Sequence, residues 1–275
     1  MFLQKLKWLA RPATPIFIYQ IGKVGSTAIA RALERLGLFD VYPVHRLNPS
    51  NILRVKREHK ARGWPPPAEH TRCLTLYNKL RKSRQPINII SLVREPVGRN
   101  FSYYFQNLDK ICGVADAHRR LSTQQLIKQY PVEFPYSDDP LTWFDYEFKQ
   151  VTGIDLYDRS VCLTNGYQEI RSDPYNVLIL RSDAADQVKS EALGLFLKID
   201  PVPLVRIHIT EEKPEGLAYQ AFRNTIRLTS PYLDYIFLSK YCRHFFDDLS
   251  LKKWRDEYAA TGSIIPDSFL EISRF

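Results

Sequence analysis

The residues from Gln20 to Leu33, QIGKVGSTAIARAL, hold the densest chemistry in the chain. Two glycines bracket a lysine, and two hydroxyl residues open what reads as a helix. A loop of this kind is suited to an anion. The amides at a helix N-terminus have no partner inside the helix, they point outward, and the macrodipole adds positive potential. Gly22 and Gly25 let the backbone curl close to the anion. Ser26 and Thr27 offer hydroxyl donors, and Lys23 supplies a mobile charge. The alternative is an ordinary βα turn that happens to contain Gly and Ser; against it, these features coincide in order. A Walker A loop, GxxxxGK[ST], carries its lysine directly after the last glycine. Here Ser26 follows Gly25, and the lysine lies inside the loop.

A second constellation is SLVREPVGRNFSYYF, from Ser91 to Phe105. Arg94 ends an apolar run, and an arginine at a strand's C-terminal edge can fork onto phosphate oxygens. Ser102, one to two helical turns later, can add a further donor. An ion pair of Arg94 with Glu95 or another acid is the alternative.

The order Lys23–Val24–Gly25–Ser26–Thr27, joined with Arg-x-Pro-x-x-Arg-x-x-Ser-x-Tyr, resembles sulfotransferases that use the activated sulfate donor PAPS. Within these it is similar to bacterial carbohydrate sulfotransferases of the capsular-polysaccharide type. LTWFDYEFKQVTGIDLY and LSKYCRHFF resemble segments of the same bacterial proteins, less specifically. The likeness runs from Pro15 to about Phe246. It implies that a sulfuryl group moves in line from PAPS to an acceptor hydroxyl, a glycan hydroxyl being favoured by the capsular likeness. It implies that Lys23 stabilises the 5′-phosphate leaving oxygen with Gly22, Gly25, Ser26 and Thr27, and that Arg94 and Ser102 hold the 3′-phosphate. Sulfuryl carries less charge than phosphoryl, so no bridging metal is expected. An acceptor hydroxyl needs a base, which in such enzymes is a His or an acid near the second strand. His45, at the end of VYPVH, is the candidate, since a histidine titrates near neutral pH. It could equally cap or pack at a strand end, and Glu58, His59, Asp109 and His118 stay open as bases. Lys240, Arg243 and His244 share one helix. Lys240 and Arg243 stand at i, i+3 and could meet the donor's phosphates, or they mark a basic helix end in solvent.

These residues need elements to hold them. PIFIYQI, INIISLV and YNVLILR read as buried parallel strands, and FDVYPVHRL as a further strand or extended segment. Helices are expected over STAIARALERL with Gly37 as its stop, after Pro96, after the Ser122/Gln125 capping box, from Pro140 with Asp139 as cap, and over DAADQVKSEALGLFL. The stretch NILRVKREHKARGW reads as a short exposed helix ended by Pro65. Its basic residues between 54 and 62 form either a solvated face or an attraction for an anionic glycan. Ser230 and Pro231 start another helix, and the C-terminal third reads as helical. Strand alternating with helix gives an α/β fold: a P-loop-like, mostly parallel sheet with helices on both faces. One domain over residues 1–275 is expected, with an acceptor-shaping insertion at about 107–157.

Composition bounds the rest. Of 275 residues, 44% are hydrophobic, enough for a large core, and 4 Trp, 16 Tyr and 15 Phe exclude a disordered chain. A formal charge of +9 favours anionic partners. Cys73, Cys112, Cys162 and Cys242 show neither CxxC nor zinc-ligand spacing and read as reduced structural thiols. No signal segment or membrane span is legible, so a cytoplasmic protein is expected; the basic, amphipathic residues 1–10 either dock as a helix or touch a membrane surface. Oligomeric state is open. Two rivals stand. A P-loop kinase or NTPase would need an acid at a strand end for magnesium, where Arg94 and Arg181 stand instead, with Asp183 nearby. A non-enzymatic polyanion or nucleic-acid binder would cluster basic with aromatic residues, whereas these are scattered, so no nucleic-acid partner is expected.

Overall fold

The structure, a computed structural model, describes residues 15–65, 69–83, 86–133, 139–204 and 214–259. In chain order, β1 (Pro15–Tyr19) leads into α1 (Ser26–Leu36), followed by β2 (Asp40–Val44), α2 (Pro49–Ala61), α3 (His70–Lys82) and β3 (Ile87–Val93). Next come α4 (Pro96–Gln106), α5 (Leu108–Cys112), α6 (Ala117–Arg120), α7 (Thr123–Glu133) and α8 (Asp139–Trp143). A π-helical turn (Phe144–Phe148) runs into α9 (Lys149–Thr152), β4 (Tyr167–Ser172), β5 (Tyr175–Arg181) and α10 (Asp186–Leu197). The last described elements are α11 (Gly216–Thr225), α12 (Ser230–Phe237), α13 (Lys240–Phe245) and α14 (Asp248–Tyr258).

The chain divides into two compact units, Met1–Arg94 with Trp143–Val205, and Glu95–Thr142 with Arg206–Phe275. The stretch 107–157, read above as an insertion, contributes to both.

The first unit is built on a five-stranded sheet of order β2-β1-β3-β5-β4, parallel except for the antiparallel edge strand β4. Every residue of β1 is buried, as is all of β3 except Asn88. Such strands, covered on both faces, must be apolar throughout, which is why they read as unbroken hydrophobic runs. The step from β1 to β2 moves one way across the sheet and the step from β2 to β3 the other way. Right-handed crossovers therefore put α1 on one face and α2 with α3 on the other. That reversal makes a switch point between β1 and β3, where the carboxyl ends of parallel strands leave a crevice.

The second unit, among its described residues, is helical. Rings from α4, α7, α11 and α14 interlock in it: Phe101, Tyr104, Phe105, Tyr130 and Phe222 meet mostly edge to face, and Phe101 also meets Tyr258 at 5.6 Å.

Several expectations need correction. The basic helix α2 ends at Ala61, before the turn at Gly63 rather than at Pro65, and it is only half exposed: Asn51, Ile52 and Val55 are buried. Helix α3 and strand β4 were not expected. The helix expected from Pro140 is interrupted by the π turn; Leu141, Phe144, Phe148 and Val151 are buried along it, and Gly153 ends it. Helix α12 starts at Ser230 and Pro231 as expected, with Thr229 as its cap, accepting from the Tyr232 amide. The Ser122/Gln125 capping box is reciprocal, at 2.8 and 3.3 Å. No helix of the described residues is long and apolar enough to cross a membrane. Residues 1–10, expected to dock or to touch a membrane, lie outside the described residues.

Candidate functional site

The crevice at the strand ends is where the loop Gly22–Thr27 lies. Its backbone is unusual at two points. Gly25 takes φ +85°, and Lys23, which has a side chain to accommodate, takes φ +73°. A left-handed residue other than glycine costs about 1–2 kcal/mol and marks places where function holds the backbone in strain. Gly25 also serves as the N-cap of α1, and no side chain caps that helix. The first-turn amides of Ser26 and Thr27 thus stand beside an exposed glycine rather than beneath a capping side chain.

Four strands contribute to the loop's surroundings. From β1, the fully buried Gln20 donates Nε2 to Ser26 Oγ at 2.7 Å. From β2 comes His45. The parallel register pairs Tyr19 with Val44, so the next residues, Gln20 and His45, stand side by side past the strand ends. The His45 ring packs against the missing side chain of Gly22: a Cβ there would lie 3.7 Å from Nε2. His45 Nδ1 lies 3.1 Å from the Gln20 carbonyl oxygen and 3.3 Å from Gln20 Nε2. A carbonyl oxygen can only accept, so the shorter contact puts the proton on Nδ1 and leaves Nε2 as the acceptor atom. From β3 comes Arg94, whose Nη1 donates to the Lys23 carbonyl oxygen at 2.8 Å. This bond pins the strained residue of the loop. From β5 comes Ser182, whose amide continues the ladder onto the Val93 carbonyl at 2.8 Å. Its Oγ would lie 3.7 Å from a Cβ on Gly25.

Behind His45 sits a buried acid that the sequence reading passed over. Glu147, in the π turn, is fully buried. Its Oε1 accepts from Tyr19 Oη at 2.6 Å, from the Asn48 amide at 2.7 Å and from the Leu47 amide, while Oε2 accepts from Asn51 Nδ2 at 2.5 Å. Burial pushes its carboxyl up from the ordinary value, and these donors offset part of that rise. Burial likewise holds the Tyr19 hydroxyl well above its usual range. Trp143 donates Nε1 to the His45 carbonyl oxygen at 3.0 Å.

The structure therefore brings together Gly22, Lys23, Gly25, Ser26, Thr27, His45 and Arg94 in the first unit. Ser102, Lys240 and Arg243 belong to the second unit. Ser102 is buried in α4, and Lys240 and Arg243 are exposed on α13, as expected of one shared helix. Glu95 Oε1 caps α4 through the Gly98 amide at 2.6 Å and accepts from Tyr258 Oη at 3.0 Å. The other candidate bases have their own engagements. Glu58 pairs with Arg54, His59 Nδ1 meets the Pro65 carbonyl oxygen, and Asp109 accepts the amides of Asp116 and Ala117. His118 lies half-buried within α6 in the second unit. Asp183, weighed as a magnesium acid, is held by Arg181 Nε at 3.0 Å and Nη2 at 2.7 Å. Gln20, Trp143, Glu147 and Ser182 were not singled out from sequence. Gln20 alone had a visible signal, a long polar residue inside an apolar strand run.

The fold and this geometry define an α/β protein whose strained glycine loop closes the carboxyl ends of parallel strands. Residues 136–247 match the profile of the NKWYS family, described as "Putative capsular polysaccharide synthesis protein". Comparison with curated proteins and with solved structures finds no match. The match links residues 136–247 to proteins described in connection with capsular-polysaccharide synthesis. It takes in Trp143, Glu147, Lys240 and Arg243 and leaves out the loop, His45 and Arg94.

Proposed function

We propose that the chain is a sulfotransferase that moves a sulfuryl group from PAPS to a hydroxyl of a carbohydrate. The observation that carries this reading is the Lys23–Gly25 loop, strained, uncapped and bonded by Arg94 at the strand ends. Such a loop fits a terminal phosphate group, because its backbone donors are fixed before the ligand arrives. PAPS, when bound, supplies an activated sulfate on its 5′-phosphate.

The chain's own residues would then divide the work. The Lys23 ammonium and the Ser26 and Thr27 donors neutralise charge that builds on the 5′-phosphate oxygen as the sulfur–oxygen bond to it breaks. Gly22 and Gly25 admit the phosphate close to the backbone. His45 Nε2 takes the proton of the acceptor hydroxyl as the new sulfur–oxygen bond forms. Arg94 is assigned to the 3′-phosphate. Alignment and charge supply the acceleration, as in phosphoryl transfer.

Calorimetric titration with adenosine 3′,5′-bisphosphate and with AMP, each with and without magnesium, tests the reading. Metal-independent binding of the bisphosphate, far above that of AMP and reduced about 10- to 100-fold in Arg94→Ala, is expected. Binding of ATP that needs magnesium and ignores the 3′-phosphate would overturn it in favour of a kinase or NTPase.

A further inference from the structure

We propose that the π turn Phe144–Phe148, with Trp143 before it, is a positioning device for His45, and that Trp143 and Glu147 are its working residues. The proposal rests on the assignment of His45 as the base.

A base must hold one atom toward the acceptor and must not swing. The His45 ring is fixed through Nδ1 by the Gln20 carbonyl, which leaves Nε2 against Gly22. A ring is only as well placed as its own backbone, however, and His45 lies just past the end of β2, where the sheet's hydrogen bonds stop. Trp143 and Glu147 take over at that point. Trp143 Nε1 donates to the carbonyl of His45 itself at 3.0 Å. Glu147 Oε1 then receives the amides of Leu47 and Asn48, the second and third residues onward. Asn48 Nδ2 returns a bond to the Tyr146 carbonyl at 2.7 Å. The peptide groups that follow His45 are therefore held on two sides, by residues about a hundred positions away in sequence.

The π turn explains how one short segment can do this. A π turn carries one residue more than an α turn, and such turns recur at functional sites. The widened turn brings Trp143, Glu147 and Phe148 onto Tyr19 together. Tyr19 meets the Trp143 ring at 5.0 Å and the Phe148 ring at 5.8 Å, and it donates its hydroxyl to Glu147 at 2.6 Å. Tyr19 is the last residue of β1, immediately before Gln20. The same side chains thus register both halves of the loop–histidine pair: β1 through Tyr19, and the β2 exit through His45, Leu47 and Asn48. A buried carboxylate is costly unless its bonds are made, and one that meets backbone amides here over-determines their position.

Trp143→Phe is the sharpest test, because it keeps an aromatic ring and removes the N–H that reaches His45, together with part of the indole's bulk. The ring nitrogens of His45 are followed by NMR on protein labelled with ¹⁵N-histidine, as pH is varied. In parallel, the affinity for adenosine 3′,5′-bisphosphate and the rate of its hydrolytic release from PAPS are measured. The expected result is a changed tautomer balance and midpoint at His45, with the other histidines unmoved. Hydrolysis should fall about tenfold, and bisphosphate affinity should stay within about twofold. Glu147→Gln, which keeps the shape, should move the same His45 signals, so the proposal does not hang on one variant's folding. An unmoved His45 signal in both folded variants would overturn the proposal. So would loss of bisphosphate binding in step with lost stability, which would mark a purely structural role. If the wild type failed to bind the bisphosphate or to consume PAPS, the sulfotransferase reading would fall, while the NMR arm would still decide whether this turn positions His45.

Discussion

The two units of this chain are held together by different means. In the first, the core is a sheet, and Ile16, Ile18, Ile89, Ile90, Val177, Leu178 and Leu180 are sealed within it. Strand positions there are fixed by main-chain hydrogen bonds, so aliphatic side chains need only fill space. In the second, the described elements are helices, and Leu228 with Ala259 forms an isolated backbone bridge. Their places are set by ring shape, with Phe222 within 5.2–5.7 Å of Phe101, Tyr104, Phe105 and Tyr130. The comparison explains where the strained loop can exist. Lys23 holds a left-handed backbone between rigid strand ends, bonded by Arg94 just past β3, while His45, just past β2, packs on the neighbouring Gly22.

The largest expected effect tests the aromatic side of this comparison. Phe222→Ala should cost about 3–5 kcal/mol in chemical denaturation, whereas Ile90→Val in the sheet should cost only about 0.5–1.5. Near-equal costs would break the contrast between shape-set and ladder-set cores. Next, Gly25→Ala forces a side chain into φ +85° and should lower stability by about 1–2 kcal/mol. Its loss of bisphosphate affinity should exceed that of Gly37→Ala, which carries a similar left-handed strain at the far end of α1. Equal losses would mean that the loop is only a turn.

A smaller effect concerns pH. Burial holds the Glu147 carboxyl above its ordinary value of 4.5. The folded state then keeps that proton more tightly than the unfolded chain does. This contribution is fully present below pH 4.5 and is lost as pH rises through the raised value. Glu147→Gln removes the titration. The stability difference between variant and wild type should therefore shift in the variant's favour as pH rises across that window, and a constant difference would show that the raised carboxyl contributes nothing. The smallest effect is on thiol reactivity. Cys162 is exposed, and its thiol is lowered by a hydrogen bond with Thr164. Burial pushes Cys73 up and Cys242 up to about 12. Peptide mapping after iodoacetamide at neutral pH should find Cys162 modified first, with Cys73 and Cys242 protected until the chain unfolds.

Local composition was enough for β1, β3 and β5, because a strand buried on both faces has to be apolar at nearly every position. It was enough for the caps as well: Gly37, Pro96 and the Ser122/Gln125 pair act through neighbours within four residues. It failed at β4, an edge strand in which only Ile170 is buried, so that YQEIRS carries almost no hydrophobic signal. The π turn was also hidden, since its buried stripe at 141, 144, 148 and 151 fits an ordinary α period. The glycine loop stood out by type and spacing and Arg94 by its place at a strand end, whereas His45 was singled out through the family resemblance; that His45 packs on Gly22 and Arg94 bonds Lys23 was not legible, because these contacts join residues far apart in sequence.

What the sequence by itself determined is therefore chemistry and local form: a lysine inside a glycine loop, a helix to open behind it, and arginine and histidine at strand ends. The tertiary structure decided their company. Strand order and register are set by pairings across dozens of residues, and a shift of one residue would turn each strand's side chains to the opposite face. That register puts His45 beside Gln20, draws Arg94 onto Lys23, and brings the buried Glu147 to the backbone that follows His45.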